Sequence, residues 1–495
     1  MPAYYLEIIV VLLGLAVLTF DAVGRVEDKR SLAGLGVLGL IVVFFLLFKT
    51  SKPADPGSVF WKFYATDALA FFFKGIAILT TIVVLLMAND FIPVLQRFGP
   101  PVEAKAHPQS GFAEFVALPL FLCAGLMWMA SANHLVSIFV SLELVTVTFY
   151  VLVAYLRRHE LSLEAGVKYL ILGALSTGLL VYGLAWLYGA TGALDLSGIE
   201  GALATTENPL PALFALAFIL AAMAFKVGAL PTAFWIPDVY QGAPTPVTAL
   251  LAVGSKSAGF IVLMRLMTPF LKSELLSGKV VAVLAIMAVA TLLYGNFAAL
   301  LQSNVKRLLG YSSISHAGFL VLALASAPSH GGALETPATT VAFYLASYAI
   351  TALLAFLVLS IVSAARHGDD LNSFRGLAKA SPFLALLMLL SMASMAGVPL
   401  TIGFWGKFFV FQQAVFSRLW LPLGVAVIGA AAGFYYYFRL IFSMYLETAT
   451  RADGNPLGKD TLTKIGAGSR IAMILLALAI IGFGFFPGSI LALLR

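Results

Sequence analysis

The sequence predicts an all-α integral membrane protein with about fourteen transmembrane helices. Of the 495 residues, 61% are hydrophobic and only 11% are charged, and the mean hydropathy is +0.99. A soluble domain has roughly 25% charged residues, so this chain lacks the polar surface that a soluble protein needs. Apolar runs of about 20 residues, long enough to cross a bilayer as a helix, recur along the chain. We therefore expect one membrane domain, residues 1–495, without a soluble module.

The positions of the apolar runs give the predicted spans. They lie near residues 4–22, 31–49, 67–88, 112–130, 134–155, 164–188, 210–231, 248–270, 280–301, 307–326, 338–363, 382–416, 419–446 and 470–493. The twelfth run is too long for one straight helix and contains AGVPLTIGFWG, so we expect a break in its middle. The first run carries Glu7, follows no basic residue and precedes no small-residue cleavage pattern, so it is expected to stay as a span.

Lysine and arginine residues are divided unequally between the two sets of loops. Loops after odd-numbered spans hold sixteen of them, and the opposite side holds seven. Because basic loops stay in the cytoplasm, we expect both termini on the periplasmic side of a bacterial inner membrane. The same bias accounts for most of the net charge of +7, so no nucleic-acid partner is expected.

The cysteine and histidine content limits the chemistry of the chain. Cys123 is the single cysteine, which excludes a disulfide, a thiolate-bound iron–sulfur cluster and a CxxCH haem attachment within the chain. The six histidines show neither HExxH nor paired helical spacing, which disfavours a metal site. No nucleotide-binding motif of the GxGxxG or GxxxxGK[ST] type is present. Any redox chemistry is therefore expected in partner chains.

Two stretches interrupt apolar runs in a similar way. GALPTAFW at 228–235 and GVPLTIGFW at 397–405 share a glycine, a nearby proline and a final Phe-Trp pair. Lys226 precedes the first stretch and Lys407 follows the second. Interrupted spans at corresponding positions of two halves are typical of inverted repeats with ion sites at the breaks. Unwound backbone at this depth must be buried in protein or line a hydrated cavity, and we expect water there.

Charged side chains inside the spans are the main candidates for function, because each costs about 2.5–3.5 kcal/mol at the centre of a membrane helix. Seven cations fall within spans, namely Lys74, Lys168, Lys226, Lys256, Arg265, Lys407 and Arg439, and Glu143 is the only carboxylate near the middle of a span. Glu143, Lys226, Lys256 and Lys407 are predicted to be functional, because they lie far from span ends or beside a break. For Lys168, a functional role and a side chain that extends to the membrane interface are equally expected. The remaining three are expected to reach the interface with their long side chains.

His316, in GYSSISHAGFL, is a further candidate near the middle of a span. The hydroxyls of Tyr311, Ser312, Ser313 and Ser315 are expected to bond it or to hold water. By contrast, we expect the aromatic run FYYYF at residues 434 to 438 to contact lipid or a partner.

These residue types suit proton transfer. Burial disfavours the charged form of a lysine and a nearby carboxylate favours it, so movement of Glu143 relative to Lys226 is predicted to load or release a proton. Lys256, His316 and Lys407 are expected to continue the path, with waters bridging the wider gaps.

Four stretches also resemble a known family: EAGVKYLILGALSTGLLVYG, FKVGALPTAFWIPDVYQGAPTPVTALLAVGSKSAGF, LLGYSSISHAGF and MAGVPLTIGFWGKFFVF. In this order they are similar to the antiporter-like subunits of respiratory complex I, a bacterial NADH:quinone oxidoreductase. The similarity covers roughly residues 110–445 and is greatest for the subunit N branch, the counterpart of mitochondrial subunit 2. The stretch EAGVKY favours the subunit N branch, as does the lysine at position 407, where subunit M would carry glutamate.

The resemblance implies a fourteen-helix fold with two inverted five-helix repeats and discontinuous helices 7 and 12. Residues 1–110 would form three N-terminal helices, 111–275 the first repeat with helices 4–8, 276–446 the second repeat with helices 9–13, and 447–495 the C-terminal helix. The same resemblance implies roles in proton transfer for six residues: the coupling pair Glu143 and Lys226, then Lys256, His316, Lys407 on the exit side, and Lys168 on helix 6.

The function implied is proton translocation driven by quinone reduction in other chains. FMN, iron–sulfur clusters and quinone are expected in those chains and no cofactor in this one. Expected partners are subunit M, the small subunits K and J, lipids and protons. Related sodium/proton antiporter subunits share the same core, so a cation/proton antiporter remains the alternative. A purely structural scaffold is a third possibility, which the density of lysines inside the spans disfavours.

Overall fold

The structure of the chain, a computed structural model, describes residues 2–24, 28–50, 62–99, 111–326, 336–446 and 465–494. Its long helices are numbered after the predicted spans, with a and b for the two parts of a divided helix. They are α1 Tyr5–Val23, α2 Arg30–Leu47, α3 Ala68–Phe98, α4 Phe112–Ser131, α5 Leu135–Val153, α6 Glu160–Thr191, α7a Leu210–Val227, α7b Ile236–Gly242, α8 Thr245–Lys272, α9 Ser277–Leu300, α10 Val305–Ala325, α11 Pro337–Arg366, α12a Pro382–Ala396, α12b Ile402–Phe416, α13 Trp420–Leu446 and α14 Ala467–Phe485. Short helices lie at Leu196–Thr205, Leu371–Phe374, Leu377–Ala380 and Gly488–Ala492.

The predicted all-α membrane class is confirmed. Within the described ranges, thirteen helices are long and apolar enough to cross a membrane. The remaining predicted span, the twelfth, is the divided helix α12, whose two parts have 15 residues each. Several loop cations that set the predicted orientation lie outside the described residues: Arg25, Lys52, Lys105, Arg451, Lys459, Lys464 and Arg495.

The helices are buried to very different degrees, which separates a centre from a periphery. The most apolar windows of α8, α10 and α11 are each 94% buried within the chain, whereas those of α1 and α14 are 22% and 28% buried. The outer helices expose large apolar side chains such as Leu12, Ile171 and Leu475. This surface suits lipid or partner subunits, and polar groups on the central helices are shielded from both.

Both predicted breaks are present, and the two broken helices end in the same way. α7a ends at Gly228, with φ +78°, and α12a ends at Gly397, with φ +91°. In each case the glycine N–H and the next N–H both bond one carbonyl, that of Ala224 in the first and Ala393 in the second. Glycine adopts this left-handed conformation without the steric penalty of a Cβ, which is why helices commonly end on it.

A π-helical turn at Leu251–Ser255 interrupts α8 immediately before Lys256. Such turns are rare and occur frequently at functional sites. The turn packs against α3, because a Cβ built on Gly254 would lie 3.9 Å from Cγ2 of Thr80. The position of Lys256 on α8 therefore depends on a local irregularity that the sequence pattern did not reveal.

Candidate functional site

Glu143 and Lys226 lie on facing helices without forming an ion pair. Thr177 of α6 donates a hydrogen bond to the Glu143 carboxylate at 2.7 Å, and Nζ of Lys226 donates to Oγ1 of Thr146 at 2.5 Å. Thr146 lies one helical turn after Glu143 on α5. The Glu143 charge still acts electrostatically on Lys226, which is buried at 7% exposure. Each of the two charged groups is thus bonded to a threonine hydroxyl of its own.

The break after Lys226 is buried at its start, whereas Pro231 and Phe234 further along it are exposed. Gly228 and Ala229 are buried, and the N–H of Leu230 donates to Oγ1 of Thr291 on α9 at 3.0 Å. Thr232 donates to the carbonyl of Ala221 at 3.2 Å. Side chains of the protein therefore meet part of the hydrogen-bonding need that we had assigned to water.

Lys256 is the next buried cation along the chain. It is 3% exposed, and its ammonium donates to both the carbonyl and the hydroxyl of Ser313 on α10. Its Nζ also lies 5.2 Å from the centre of the Tyr348 ring on α11. A Cβ built on Gly228 would lie 4.0 Å from Cε of Lys256, so the first break lies beside this side chain.

His316 lies on the same helix as Ser313 and bonds two tyrosines. Its Nδ1 lies 2.8 Å from the Tyr344 hydroxyl on α11, and its Nε2 lies 3.1 Å from the Tyr437 hydroxyl on α13. The ring of Tyr348 lies 4.9 Å from the imidazole and so joins His316 to Lys256. An imidazole bonded at both nitrogens can accept a proton on one side and give one up on the other.

The partners of His316 differ from the expected ones. Ser312 instead bonds the Tyr437 hydroxyl, and Ser313 bonds Lys256, so neither bonds the imidazole directly. The FYYYF run was expected to contact lipid or a partner. Tyr435 is 62% exposed and so is available for such a contact, but Tyr437 is buried and the expectation is wrong for it. A helical run of aromatics has two faces, and its buried face supplies the polar partner here.

Lys407 lies after the second break and caps the helix before it. Its Nζ donates to the carbonyls of Met395 and Ala396 at 2.9 and 2.8 Å, and the residue is 7% exposed. These carbonyls belong to the last turn of α12a, where the helix dipole favours a cation. The ring of Phe319, one turn after His316, lies 5.5 Å from the ammonium.

Lys168 lies apart from this buried row. Its side chain is 41% exposed, and it forms ion pairs with Glu164 at 2.6 Å and with Asp238 at 2.6 Å. Asp238, on α7b, also pairs with Arg307 of α10 at 2.5 Å. Asp238 was missed in the sequence because it follows the break and lies in no predicted span, although the IPD triplet after GALPTAFW marks it.

The structure thus brings five of the six predicted site residues into one row, in which Glu143 is half-buried and the other four are buried. The row starts on α5 and α7a, passes through α8 and α10, and ends on α12b: Glu143, Lys226, Lys256, His316 and Lys407. Lys226 and Lys256 lie beside the first break, and Lys407 lies at the second. This fold and this set of residues are those that the resemblance to the antiporter-like membrane subunits implies.

The comparison with known proteins assigns the chain within that class. The family described as NADH:quinone oxidoreductase/Mrp antiporter, TM matches residues 132–433, and the chain belongs to this family. It is similar to NADH-quinone oxidoreductase subunit N 1 of Opitutus terrae, with 40% identity over 416 residues that cover 81% of this chain and 80% of that one. It is also 34% identical to subunit N 2 of Chloroherpeton thalassium, over 99% of this chain and 93% of that one.

Comparison of the fold with solved structures gives the same relationship. A chain of respiratory complex I from Thermus thermophilus with bound aureothin superimposes with a TM-score of 0.77 at 30% identity, over 98% of both chains. The resemblance stated from the four sequence stretches is therefore confirmed, including its subunit N branch.

Proposed function

We propose that this chain translocates protons as subunit N of the membrane arm of a bacterial NADH:quinone oxidoreductase, with both termini on the periplasmic side. The observation that carries the proposal is the row of five acid–base side chains between the two divided helices, of which Glu143 is half-buried and the other four are buried. Buried charges of this kind are costly, and in membrane proteins they mark ion and proton pathways. Redox chemistry at FMN, iron–sulfur clusters and quinone is assigned to partner subunits, with subunits M, K and J as neighbours.

The Glu143 and Lys226 pair acts as the switch. In the arrangement described, each group is held by its own threonine, so the lysine lacks the direct support of a carboxylate. A small rotation of α5 that replaced Thr146 by Glu143 as the lysine's partner would favour the protonated amine. The reverse movement would release the proton. The energy of quinone reduction would act by shifting the balance between these two arrangements.

The remaining groups pass the proton on. Lys256 is bonded to Ser313, and Tyr348 lies between Lys256 and His316. His316 and its two tyrosine hydroxyls can hand a proton across α10, and Lys407 receives it at the second break. Lys168 is assigned to the entrance, where its partial exposure and its contact with Asp238 place a cation near the first break.

The arrangement of the chain in two inverted repeats, residues 111–275 and 276–446, belongs to the same proposal. The two identical glycine terminations, at Gly228 and Gly397, support it. Cation/proton antiport is the second candidate, because the matched family also includes Mrp antiporters.

The test is Glu143→Gln in the assembled complex, measured as proton uptake by membrane vesicles during NADH oxidation. Loss of a positioned acid–base group should lower proton transfer by about a hundredfold or more. Glu200→Gln is the matched control, because Glu200 is an exposed carboxylate paired with Lys272 at 2.8 Å. Unchanged pumping in Glu143→Gln would overturn the proposal. A purified native complex without flavin and iron–sulfur absorbance, with sodium-dependent proton exchange, would support the antiporter instead.

A further inference from the structure

A second buried charge cluster lies among the N-terminal helices, outside the row that the proposed function uses. Nζ of Lys74 on α3 lies 2.8 Å from Oε1 of Glu7 on α1, and the Tyr64 hydroxyl donates to the same oxygen at 2.8 Å. Lys74 also donates to the Tyr64 hydroxyl. Its side chain is 1% exposed, so the expectation that Lys74 reaches the interface was wrong.

The cluster lies near one membrane face. Glu7 and Lys74 belong to the first two turns of their helices, and Asp67 caps the start of α3. Arg265, near the end of α8, donates to Asp67 at 2.9 Å and to the carbonyl of Ala130 at 3.0 Å. The Asp67 side chain is 47% exposed, so the outer end of the cluster reaches the surface of the chain.

Unpartnered polar atoms continue inward from this cluster. Among the described residues, four buried oxygens on this side have no hydrogen-bond partner: Oε2 of Glu7, Oγ of Ser131, Oγ1 of Thr80 and Oγ of Ser257. Ser131 is joined to the residue after Tyr64, because the N–H of Ala65 donates to its carbonyl at 2.6 Å. Buried polar atoms without a protein partner usually bond internal water.

These atoms lead to the buried row. Thr80 lies two turns after Lys74 on α3 and faces the π-helical turn of α8, 3.9 Å from the Cβ position of Gly254. Ser257 directly follows Lys256. The unpartnered oxygens therefore extend from Lys256, in the centre of the chain, to Glu7 and Lys74 near the face where α1 and α3 begin.

We propose that Glu7, Lys74, Tyr64, Thr80 and Ser257 form a hydrated outer branch, which carries protons between Lys256 and the membrane face where α1 begins. This inference rests on the proposed function for its direction of use, but not for its hydration. Each step breaks one N–H or O–H bond and forms another, and water molecules are the only further reactants. The Glu7 and Lys74 pair holds one proton between a carboxylate and an amine that are in direct contact, whereas Glu143 and Lys226 of the row each bond a threonine.

Hydration is tested by thiol labelling of the whole complex. Thr80→Cys should react with a small water-soluble methanethiosulfonate at least about tenfold faster than Ile78→Cys, because only a solvated thiol ionises and reacts readily. Ile78 is fully buried on the same helix and is the matched control. Modification is read from the peptide masses. Equal, slow labelling of both variants would overturn the branch, whatever the outcome for Glu143→Gln.

Proton passage is tested by Glu7→Gln combined with Lys74→Met, which removes both charges together and leaves no lone buried ion. Because the branch runs parallel to the Lys407 outlet, proton uptake per assembled complex should fall by about twofold or more. Glu200→Gln combined with Lys272→Met removes an exposed ion pair and is the control. Normal uptake per complex with reduced assembly would mean that the pair only fastens α1 to α3, and would refute the branch.

Discussion

The two divided helices end alike but hold their lysines in opposite ways. Lys226 belongs to the last turn before its break and bonds a side-chain hydroxyl on another helix, Thr146. Lys407 belongs to the helix after its break and bonds two carbonyls of the helix before it, those of Met395 and Ala396. A hydroxyl partner is lost when two helices shift, whereas carbonyl partners are fixed to the break itself. At the first break the lysine can therefore change its partner, as a switch requires, whereas at the second break the lysine keeps its partners.

The largest expected effect is that of removing a lysine at a break. Lys226→Met should reduce proton uptake by vesicles by about a hundredfold or more, because it deletes the proton carrier of the switch. Lys407→Met should reduce uptake by about twofold or more, because the outer branch still joins Lys256 to a membrane face. Their stability should differ. Lys407→Met leaves two buried carbonyls without their donor, at about 1–3 kcal/mol for each lost partner, and should lower the thermal midpoint of the complex. The Thr146 hydroxyl already donates to the carbonyl of Leu142 at 2.6 Å, so Lys226→Met should lower it less.

Exposed Lys272→Met controls for the loss of a lysine as such. Equal thermal midpoints for the two buried variants would show that the carbonyl contacts of Lys407 do not stabilise its break, and the contrast drawn here would then be wrong.

A smaller effect is expected from the glycines that end α7a and α12a. Alanine at either position would raise the free energy of the left-handed backbone by about 1–2 kcal/mol. At 397 the new Cβ would lie 3.1 Å from Cδ of Lys407, whereas at 228 it would lie 2.6 Å from Cδ1 of Ile236. Gly397→Ala should therefore displace the lysine and lower proton uptake per assembled complex. Gly228→Ala should reduce assembly but lower uptake per complex less.

Uptake divided by the amount of assembled complex, judged from bound flavin, separates these outcomes. A larger loss per complex in Gly228→Ala would mean that the first break, and not the second, positions its lysine through the glycine.

Much of this arrangement follows from the sequence, for physical reasons. Span positions follow from apolar length, and the breaks follow from the Gly-x-x-Pro and Gly-x-Pro patterns at 228 and 397, because glycine and proline end helices. Charged residues inside apolar runs are costly to insert into the membrane and therefore indicate function, which is why Glu143 and Lys256 were predicted as site residues.

The partners of those residues could not be predicted. Tyr344 bonds His316 from the next helix and Tyr437 bonds it from a helix 121 residues away, and nothing in a single sequence states which face of α13 meets α10. Lys74 was misjudged for the same reason, since its partner Glu7 comes from another helix. The end of α3 was also missed. Asp90 and Pro93 suggest a loop, but the helix continues to Phe98, and Asp90 accepts a hydrogen bond from the N–H of Gly466 at 3.1 Å.

The smallest effect is expected at Thr146, whose hydroxyl is the partner of Lys226. Thr146→Val has nearly the same shape as threonine but removes the acceptor of Lys226, so an ammonium there loses a partner at a cost of about 1–3 kcal/mol. Thr146→Ser keeps the hydroxyl and should behave as the parent. Because this cost applies only to the charged lysine, Thr146→Val should shift the pH at which proton uptake is half-maximal, with little change in the amount of complex. No side-chain substitution can do the same to Lys407, since its acceptors are backbone carbonyls. If Thr146→Val and Thr146→Ser gave the same pH profile, the threonine would not gate the lysine, and the first break would be as fixed as the second.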